Sequence, residues 1–219
     1  VSVLYWQPTM TTQKTGSGEP KLLTTERVAA TKWLALNTHT YVDQAGATRP
    51  WDSTARTTGA GVGKTDAVEI VAVARKAGRD PEVMLVTQFR PPVDAHSIEF
   101  PAGLVDAGES PEVAALRELR EETGYVGKVV SVSAPLSYDP GMSQSLMQLV
   151  TVAVDLDDDR NRSPCPEPED GEFITVEWVP MPRLLAWLAE QQAKPRHVVD
   201  GKVFTYASGL AAAAALGST

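Results

Sequence analysis

The sequence predicts an α/β protein of the α+β type, in which a mixed sheet is sandwiched between helices and preceded by a small antiparallel β domain. Strand-like runs rich in Val, Ile and Leu recur between residues 67 and 156. Helical patterns cover residues 111–123, 181–193 and 204–216. Helices on both faces of one sheet are the natural way to bury such strands.

The bulk composition excludes several classes of protein. With 219 residues, 42% of them hydrophobic, the chain can bury the core of one large domain with a small appendage. Its net charge of −8 is not that of a protein that binds nucleic-acid backbones. Cys165 is the single cysteine, which excludes an intrachain disulfide and suits a reducing compartment.

The expected location follows from two further patterns. No apolar run approaches the roughly 20 residues of a membrane span. The first ten residues lack the charged and apolar regions of a signal peptide. We therefore expect a cytoplasmic protein, with a nuclear or organellar location as alternatives, and neither nucleic acid nor membrane as a partner.

The N-terminal part divides into a tail and a β domain. Residues 1–20 end in a stretch rich in Thr, Ser, Gly and Pro, which predicts a flexible tail. Residues 27–41 form a β pattern, 43–48 indicate a turn and 50–58 suit the returning strand. The β domain is therefore expected over residues 21–58.

This hairpin contains Trp33, Trp51 and Arg56. The residues alone favour packing for both tryptophans, because large aromatic side chains in a small sheet usually belong to a core or an interface. A ligand platform is the alternative.

A Gly-rich stretch, TGAGVGKT, follows over residues 58–65. It lacks the first glycine of a phosphate-binding P-loop, since Thr58 stands at that position. No buried apolar strand precedes it and no clear helix start follows. We interpret it as a flexible connector to a second domain over 59–219.

Two charged residues end predicted strands of the second domain. Arg90 follows the run EVMLVTQF and by itself indicates a surface salt bridge. Glu99 alternates with Ile98 and Phe100, so it faces the opposite side, toward a cavity or toward water. Residues 157–172 are acidic and Pro-rich, which predicts a mobile segment.

The most informative stretch runs from Gly103 to Tyr125, GLVDAGESPEVAALRELREETGY. Ser110 is a good N-cap, Pro111 suits the first helical position and Gly124 is placed to end the helix. The stretch therefore predicts a loop, a helix and a second loop.

Three carboxylates, those of Glu118, Glu121 and Glu122, fall within an arc of about 100° on this helix. Like charges at such spacing repel one another by about a few tenths of a kcal/mol per pair. A bound Mg²⁺ would reverse that effect, because it prefers a few carboxylates together with water and phosphate oxygens. On these residues alone, a solvated acidic face is the alternative.

The same stretch resembles the Nudix box at every defined position: Gly103, five residues, Glu109, seven residues, then Arg117-Glu118-Leu119-x-Glu121-Glu122-x-Gly124-Tyr125. The resemblance implies a Nudix fold and the hydrolysis of a nucleoside diphosphate that is linked to another moiety. It makes the solvated acidic face the much weaker interpretation.

Further motifs are similar to the ADP-ribose/ADP-sugar pyrophosphatase branch of this family. They are VTQFRPP, SIEFPAGLVDAGE, SYDPGMS and DGEFITVEWVP. The β pattern from Lys32 to Thr58 is similar to the extra β domain of that branch. Pro140, sixteen residues after Gly124, matches a proline associated with ADP-ribose.

The resemblance implies a role for each matching residue. The implied catalytic residues are Arg117, Glu118, Glu121, Glu122 and Glu172. The implied Mg²⁺ ligands, which Mn²⁺ could also use, are Ala102, Glu118, Glu122 and Glu172. The implied substrate-binding residues are Trp33, Trp51, Asp52, Arg56, Arg90, Glu99, Leu104 and Asp139.

In that branch the tryptophans sandwich adenine, the arginines bind phosphate, and Leu104 and Asp139 match contacts on the ribose side. Its β domain is exchanged between subunits. The resemblance therefore implies a homodimer in which Trp33 of one protomer completes the site of the other.

The expected reaction is the Mg²⁺-dependent hydrolysis of ADP-ribose, and possibly of other ADP-sugars, to AMP and ribose 5-phosphate. One alternative is Nudix hydrolysis of another nucleoside diphosphate derivative, such as an oxidised nucleotide or a different nucleotide sugar. The other is a sensor that binds ADP-ribose without cleaving it, which the complete box argues against.

Overall fold

The structure, a computed structural model, describes residues 18–59, 64–75, 78–168 and 170–217. Most of the tail predicted over 1–20 lies outside the described residues, as do the four central residues of the Gly-rich connector.

The chain forms two compact units. The first comprises residues 1–59 together with 139–145, and the second comprises 60–138 together with 146–219. No local sequence pattern predicts that 139–145 belongs with the first unit, because the residues whose pairing joins it there, Thr54 and Met142, are more than 80 positions apart.

The first unit is an antiparallel sheet of β1 (Lys21–Ala30), β2 (Leu34–Val42) and β3 (Thr48–Arg56) in that order. The run expected as one strand over 27–41 is interrupted at Thr31, whose N–H donates to the carbonyl of Leu34 at 2.7 Å. The outer edge of β3 is covered by the 139–145 segment, through hydrogen bonds between Thr54 and residues 142 and 144.

The second unit contains the remaining elements. They are the strands β4 (Thr65–Arg75), β5 (Glu82–Arg90), β6 (Ala95–Glu99), β7 (Ala102–Leu104), β8 (Lys128–Val132), β9 (Leu146–Asp155), β10 (Thr175–Pro180) and β11 (His197–Val199), with the helices α1 (Pro111–Thr123), α2 (Leu184–Gln192) and α3 (Gly201–Leu216).

Among the described residues these strands form one mixed sheet of eight strands. Its order is β11-β6-β5-β4-β9-β8, with β10 added beside β5 and β7 beside β4. Strand β4 is parallel to β9 and antiparallel to β5 and β7.

Helices cover both faces of this sheet. On one face, Ala115 and Leu119 of α1 pack against Ile70 of β4. On the other, Leu188 of α2 and Val203 of α3 belong to a second core cluster with strands β4 and β5. The predicted fold class, a mixed sheet between helices with a small antiparallel β sheet, is confirmed.

Two short strands were not predicted. β7 and β11 have three residues each, too few to show an alternating pattern. Helix α3 also begins three residues before the expected start, because Asp200 caps it by accepting the N–H of Lys202 at 2.7 Å. In the described part of the chain, no helix is long and apolar enough to cross a membrane.

Candidate active site

Helix α1 begins after Ser110 and ends before Gly124, the two residues from which its limits were predicted. Ser110 accepts the N–H of Val113, and Gly124 ends the helix in the left-handed region at φ 74°. A Cβ atom on Gly124 would lie 2.4 Å from the backbone nitrogen of Cys165. Glycine therefore allows another loop to pass directly over the end of the helix.

That loop is part of the acidic segment 157–172. The N–H of Glu167 donates to the carbonyl of Glu121 at 2.8 Å, and its carboxylate accepts from Arg120 at 2.9 Å. The segment that leads to Glu172 is thus hydrogen-bonded to the helix that carries the carboxylate cluster.

Arg117 is the centre of the loop–helix–loop. Its guanidinium binds both carboxylate oxygens of Glu109 at 2.9–3.0 Å and the carbonyl of Leu104 at 2.9 Å. The same group donates to Glu118 at 2.8 Å and to Glu121 at 3.1 Å. One planar cation therefore fixes the loop and holds two repelling carboxylates side by side.

Glu118 lies against the backbone of β7. A Cβ atom on Gly103 would come within 1.8 Å of its carboxylate carbon, so only glycine leaves the space that this carboxylate occupies. The pKa of Glu118 is raised, first by burial, while the bonds from Arg117 oppose the shift.

Glu122 is the most buried carboxylate of the cluster, with 4% of its surface exposed. It accepts the backbone N–H of Ala102 at 3.2 Å, across the gap between α1 and β7. Burial, together with the negative charges of Glu118 and Glu172, raises the pKa of Glu122 to about 8. A carboxylate in this environment is stabilised by a nearby cation.

Arg90 and Glu99 form a bidentate pair at the ends of neighbouring strands. The Nε and Nη2 atoms of Arg90 donate to the two oxygens of Glu99 at 2.9 and 2.6 Å. The surface salt bridge expected for Arg90 is therefore present, and it involves the second predicted site residue. The pKa of Arg90 is raised chiefly by this hydrogen bond, with a smaller effect from the charge of Glu122.

In the described residues, no three His, Cys, Asp or Glu side chains are arranged as a complete metal-binding group. In proteins, Mg²⁺ typically binds through one or two carboxylates and completes its shell with water and substrate oxygens. Glu118 against Gly103 and Glu122 beside Ala102 supply two such carboxylates.

The other candidate residues belong to the first unit. Trp33 and Trp51 expose 57% and 50% of their surface, so neither is a core residue of this unit. The indole N–H of Trp51 donates to the carbonyl of Gly141 at 2.9 Å, and Asp52 accepts the hydroxyl of Thr38 at 2.6 Å.

Arg56 is an exposed residue at the end of β3, and Asp139 is an exposed residue at the start of the 139–145 segment. The structure thus groups the candidates into two sets, one within each unit.

The motif alone assigns no separate role to Glu109. The structure makes Glu109 the bidentate partner of Arg117, and its pKa is lowered by that contact. The fixed spacing of eight residues between them was the signal that could have identified the pair.

Comparison with known proteins agrees with this geometry. The model of the NUDIX domain matches residues 63–200, more than half of the chain. The chain belongs to the Nudix family.

Two relatives match nearly the whole chain. It is 42% identical to the ADP-sugar pyrophosphatase of Mus musculus over 91% of this chain and 92% of that protein. It is 40% identical to the ADP-ribose pyrophosphatase of Saccharomyces cerevisiae over 92% of this chain and 88% of that protein. A solved structure described as an ADP compounds hydrolase aligns with a TM-score of 0.55 at 20% identity, over 92% and 96% of the two chains, which supports the fold.

The first prediction concerns Gly103, which has an ordinary negative-φ backbone but no room for a side chain. Gly103→Ala should displace the Glu118 carboxylate and weaken Mn²⁺ binding, measured by calorimetry, by roughly 10- to 100-fold. Gly209→Ala is the control, because a Cβ there meets nothing within 4 Å. Unchanged Mn²⁺ affinity in Gly103→Ala would exclude Glu118 as a ligand.

The second prediction concerns the pH dependence of stability without metal. Glu122 loses its proton near its ordinary pKa of 4.5 in the unfolded chain but at about 8 in the folded one. Between these values the folded state binds more protons, so the free energy of unfolding falls as the pH rises. In EDTA, urea unfolding should show this decline, on the order of a few kcal/mol.

The decline should be smaller in Glu122→Gln, where the raised pKa values of Glu118 and Glu69 still contribute, and unchanged in Glu112→Gln, which changes an exposed glutamate of the same helix. If the wild-type protein and Glu122→Gln change in parallel with pH, Glu122 does not titrate in this range.

Proposed function

We propose that this Nudix hydrolase cleaves the pyrophosphate bond of ADP-ribose, and of related ADP-sugars, in a reaction that requires Mg²⁺. The proposal depends on one observation. Half-buried Glu118 and buried Glu122 lie together on α1, against the glycine and the amide of β7. The substrate is supported by the two relatives above, which carry the names ADP-sugar pyrophosphatase and ADP-ribose pyrophosphatase and match about nine tenths of the chain.

The cluster supplies the metal-binding part of the reaction. Glu118, Glu122 and the carbonyl of Ala102 would hold Mg²⁺, with Glu172 reaching it from the acidic segment. When bound, the ion would neutralise charge on the pyrophosphate oxygens and make a water molecule more acidic. Mn²⁺ would substitute for it, since it also accepts carboxylate and water ligands.

The remaining charged groups position the substrate and the water. Arg90 uses two of its five N–H groups for Glu99, which leaves donors that can bind a phosphate oxygen. Glu172, or one of the box glutamates, would orient or deprotonate the attacking water. Water adds to one phosphorus, the bridging oxygen leaves with the other, and the products are AMP and ribose 5-phosphate.

The nucleoside side of the substrate is assigned to the first unit. Trp33 and Trp51 present half-exposed rings that suit adenine, and stacking contributes about 0.5–1.5 kcal/mol beyond the area buried. Arg56 would bind phosphate, and Asp52 and Asp139 would contact the sugars. In the second unit, Leu104 would contact the ribose. Leu104 already fixes the loop through its carbonyl bond to Arg117.

The experiment follows AMP release by chromatography from ADP-ribose with Mg²⁺, in parallel with ADP-glucose, NADH and 8-oxo-dGDP. ADP-ribose should be the fastest substrate. Glu122→Gln should lower kcat by ~100-fold or more, since metal stabilisation of the developing charge contributes several kcal/mol. Glu112→Gln should retain wild-type turnover, because it removes a charge from the same helix outside the cluster.

Three other outcomes would contradict parts of this proposal. Faster turnover of 8-oxo-dGDP would assign the chain to another nucleotide. Tight binding of ADP-ribose by calorimetry without any turnover would indicate a sensor. Wild-type kcat in Glu122→Gln would refute the metal-ligand role.

We also propose that the chain acts as a homodimer through an exchanged first unit. The three-stranded sheet leaves much apolar surface uncovered, and Leu34, Leu36 and Val28 are about half exposed. Every residue of β1 is exposed as well. Such a surface is more apolar than the one a small sheet normally presents to water.

The cytoplasmic location expected from the sequence stays a prediction.

Light scattering tests the dimer. The wild-type protein should have twice the mass of one chain, and Leu36→Asp should reduce it to one. Leu36 faces away from the buried residues Ala35 and Asn37, so this change should leave the unit folded. Val130→Asp, at an exposed valine of β8, is the control and should remain a dimer. A wild-type monomer would overturn the proposal.

A further inference from the structure

A second buried carboxylate lies in the middle of the large sheet. Glu69 belongs to β4, has 1% of its surface exposed, and stands between the fully buried Val68 and Ile70. An ionised group in such a position costs several kcal/mol unless it is paired. Strand β4 has neighbours on both edges, so the carboxylate cannot reach water beside the sheet.

Glu69 is not part of the carboxylate cluster on α1. Successive residues of a strand point to opposite faces. Ile70 packs against α1, whereas Val71 packs in the cluster formed with α2 and α3. The side chain of Glu69 points in the direction of Val71, to the face covered by α3.

Glu69 and its ion-pair partner Lys202 both contact Tyr138. Tyr138 donates its hydroxyl to Oε2 of Glu69 at 2.8 Å. Lys202 lies 3.5 Å from Oε1 of Glu69 and 4.9 Å from the centre of the Tyr138 ring. Asp200, which caps α3, holds the Lys202 ammonium at 2.8 Å. The carboxylate and the ammonium therefore fix the hydroxyl and the ring of Tyr138.

Packing alone does not fix Tyr138. It is 40% exposed, and it borders a cavity of about 670 Å³ that Phe100, Leu136 and Tyr206 also line. A phenol without its hydrogen bond would have space to turn into this cavity. The bond to Glu69 is thus the contact that selects one position of the ring.

The position of Tyr138 matters because of the residues that follow it. Asp139 is the next residue and begins the 139–145 segment. The carbonyl of Gly141 in this segment accepts the indole N–H of Trp51. At the other end of the segment, the N–H of Leu146 donates to Asp66 at 3.3 Å. The two residues that flank the segment, Tyr138 and Leu146, are therefore each hydrogen-bonded to a residue near it in the second unit, Glu69 and Asp66 of β4.

We propose that Glu69 is a positioning residue for the nucleoside side of the substrate. It acts through its hydrogen bond to Tyr138, the residue that directly precedes the 139–145 segment. The proposal rests on the proposed function, which assigns Asp139 and Trp51 to that part of the substrate. Because Glu69 and the metal-binding carboxylates lie on opposite faces of the sheet, its loss changes substrate binding and leaves the chemical step intact.

The test removes each partner of the hydrogen bond. Tyr138→Phe and Glu69→Leu should each raise KM for ADP-ribose by ~5- to 10-fold, the effect of one partly buried hydrogen bond, with kcat within about twofold of wild type. The double variant should show no further rise, since both changes delete the same interaction. Glu69→Gln, whose amide oxygen still accepts the hydroxyl, should restore KM to within about twofold of wild type.

Tyr206→Phe is the matched control. It removes a hydroxyl from the same cavity, from a ring that packs edge-on against Phe100 at 5.5 Å. Its KM should equal that of the wild type. If Glu69→Leu does not fold, Tyr138→Phe carries the test alone.

A second measurement separates this proposal from the proposed function. AMP binding, followed by calorimetry in EDTA, should weaken by the same ~5- to 10-fold in Tyr138→Phe. A wild-type protein that binds AMP but does not hydrolyse ADP-ribose would refute the function and leave the positioning role testable by this measurement. Unchanged AMP affinity and KM in Tyr138→Phe, or an equal change in Tyr206→Phe, would overturn the positioning role.

Discussion

Two carboxylates of α1, those of Glu118 and Glu121, lie side by side because a single guanidinium binds both. Arg117 binds Glu118 and Glu121 on its own helix, Glu109 in the preceding loop, and the carbonyl of Leu104 at the end of β7. Without that cation, neighbouring glutamates on one helix face would repel one another and turn to water. The loop, the helix start and the acidic face are therefore parts of one charged network.

Two glycines give this network its shape. Gly103 leaves the volume that the Glu118 carboxylate fills, and Gly124 lets the 164–167 loop pass over the helix end. In both places the neighbour lies closer than a Cβ atom would allow, so any other residue would have to displace that neighbour. The result is a carboxylate seated against backbone and an acidic segment hydrogen-bonded to the same helix.

Among the described residues, the buried carboxylates of Glu69 and Glu122 have opposite consequences. Glu69 has a hydroxyl and an ammonium within reach, and these oppose the pKa rise caused by its burial. Glu122 has one backbone N–H and two negative neighbours, and its pKa is about 8. A satisfied buried carboxylate holds structure in place, whereas one surrounded by like charge favours the arrival of a cation. The difference separates the positioning role of Glu69 from the metal-binding role proposed for Glu122.

The sequence by itself determined the helix α1, its two ends, the family and the fold class. These follow from local signals: the Ser110 cap, the Gly124 stop, and the fixed spacing from Gly103 to Glu122. The pair of Arg117 with Glu121 was equally accessible, because residues four apart on a helix are neighbours.

Only the tertiary structure decided which distant groups meet. The bidentate contact of Arg90 with Glu99, the pairing of residues 142–144 with β3, and the bond of Glu69 to Tyr138 join residues that are separated by 9 to about 90 positions. No periodic pattern encodes such contacts, since they depend on strand order and register. For the same reason, the sequence pattern does not indicate a partner for Glu69 in the run AVEIVAVA. Its partners, Tyr138 and Lys202, come close to it only in the folded chain.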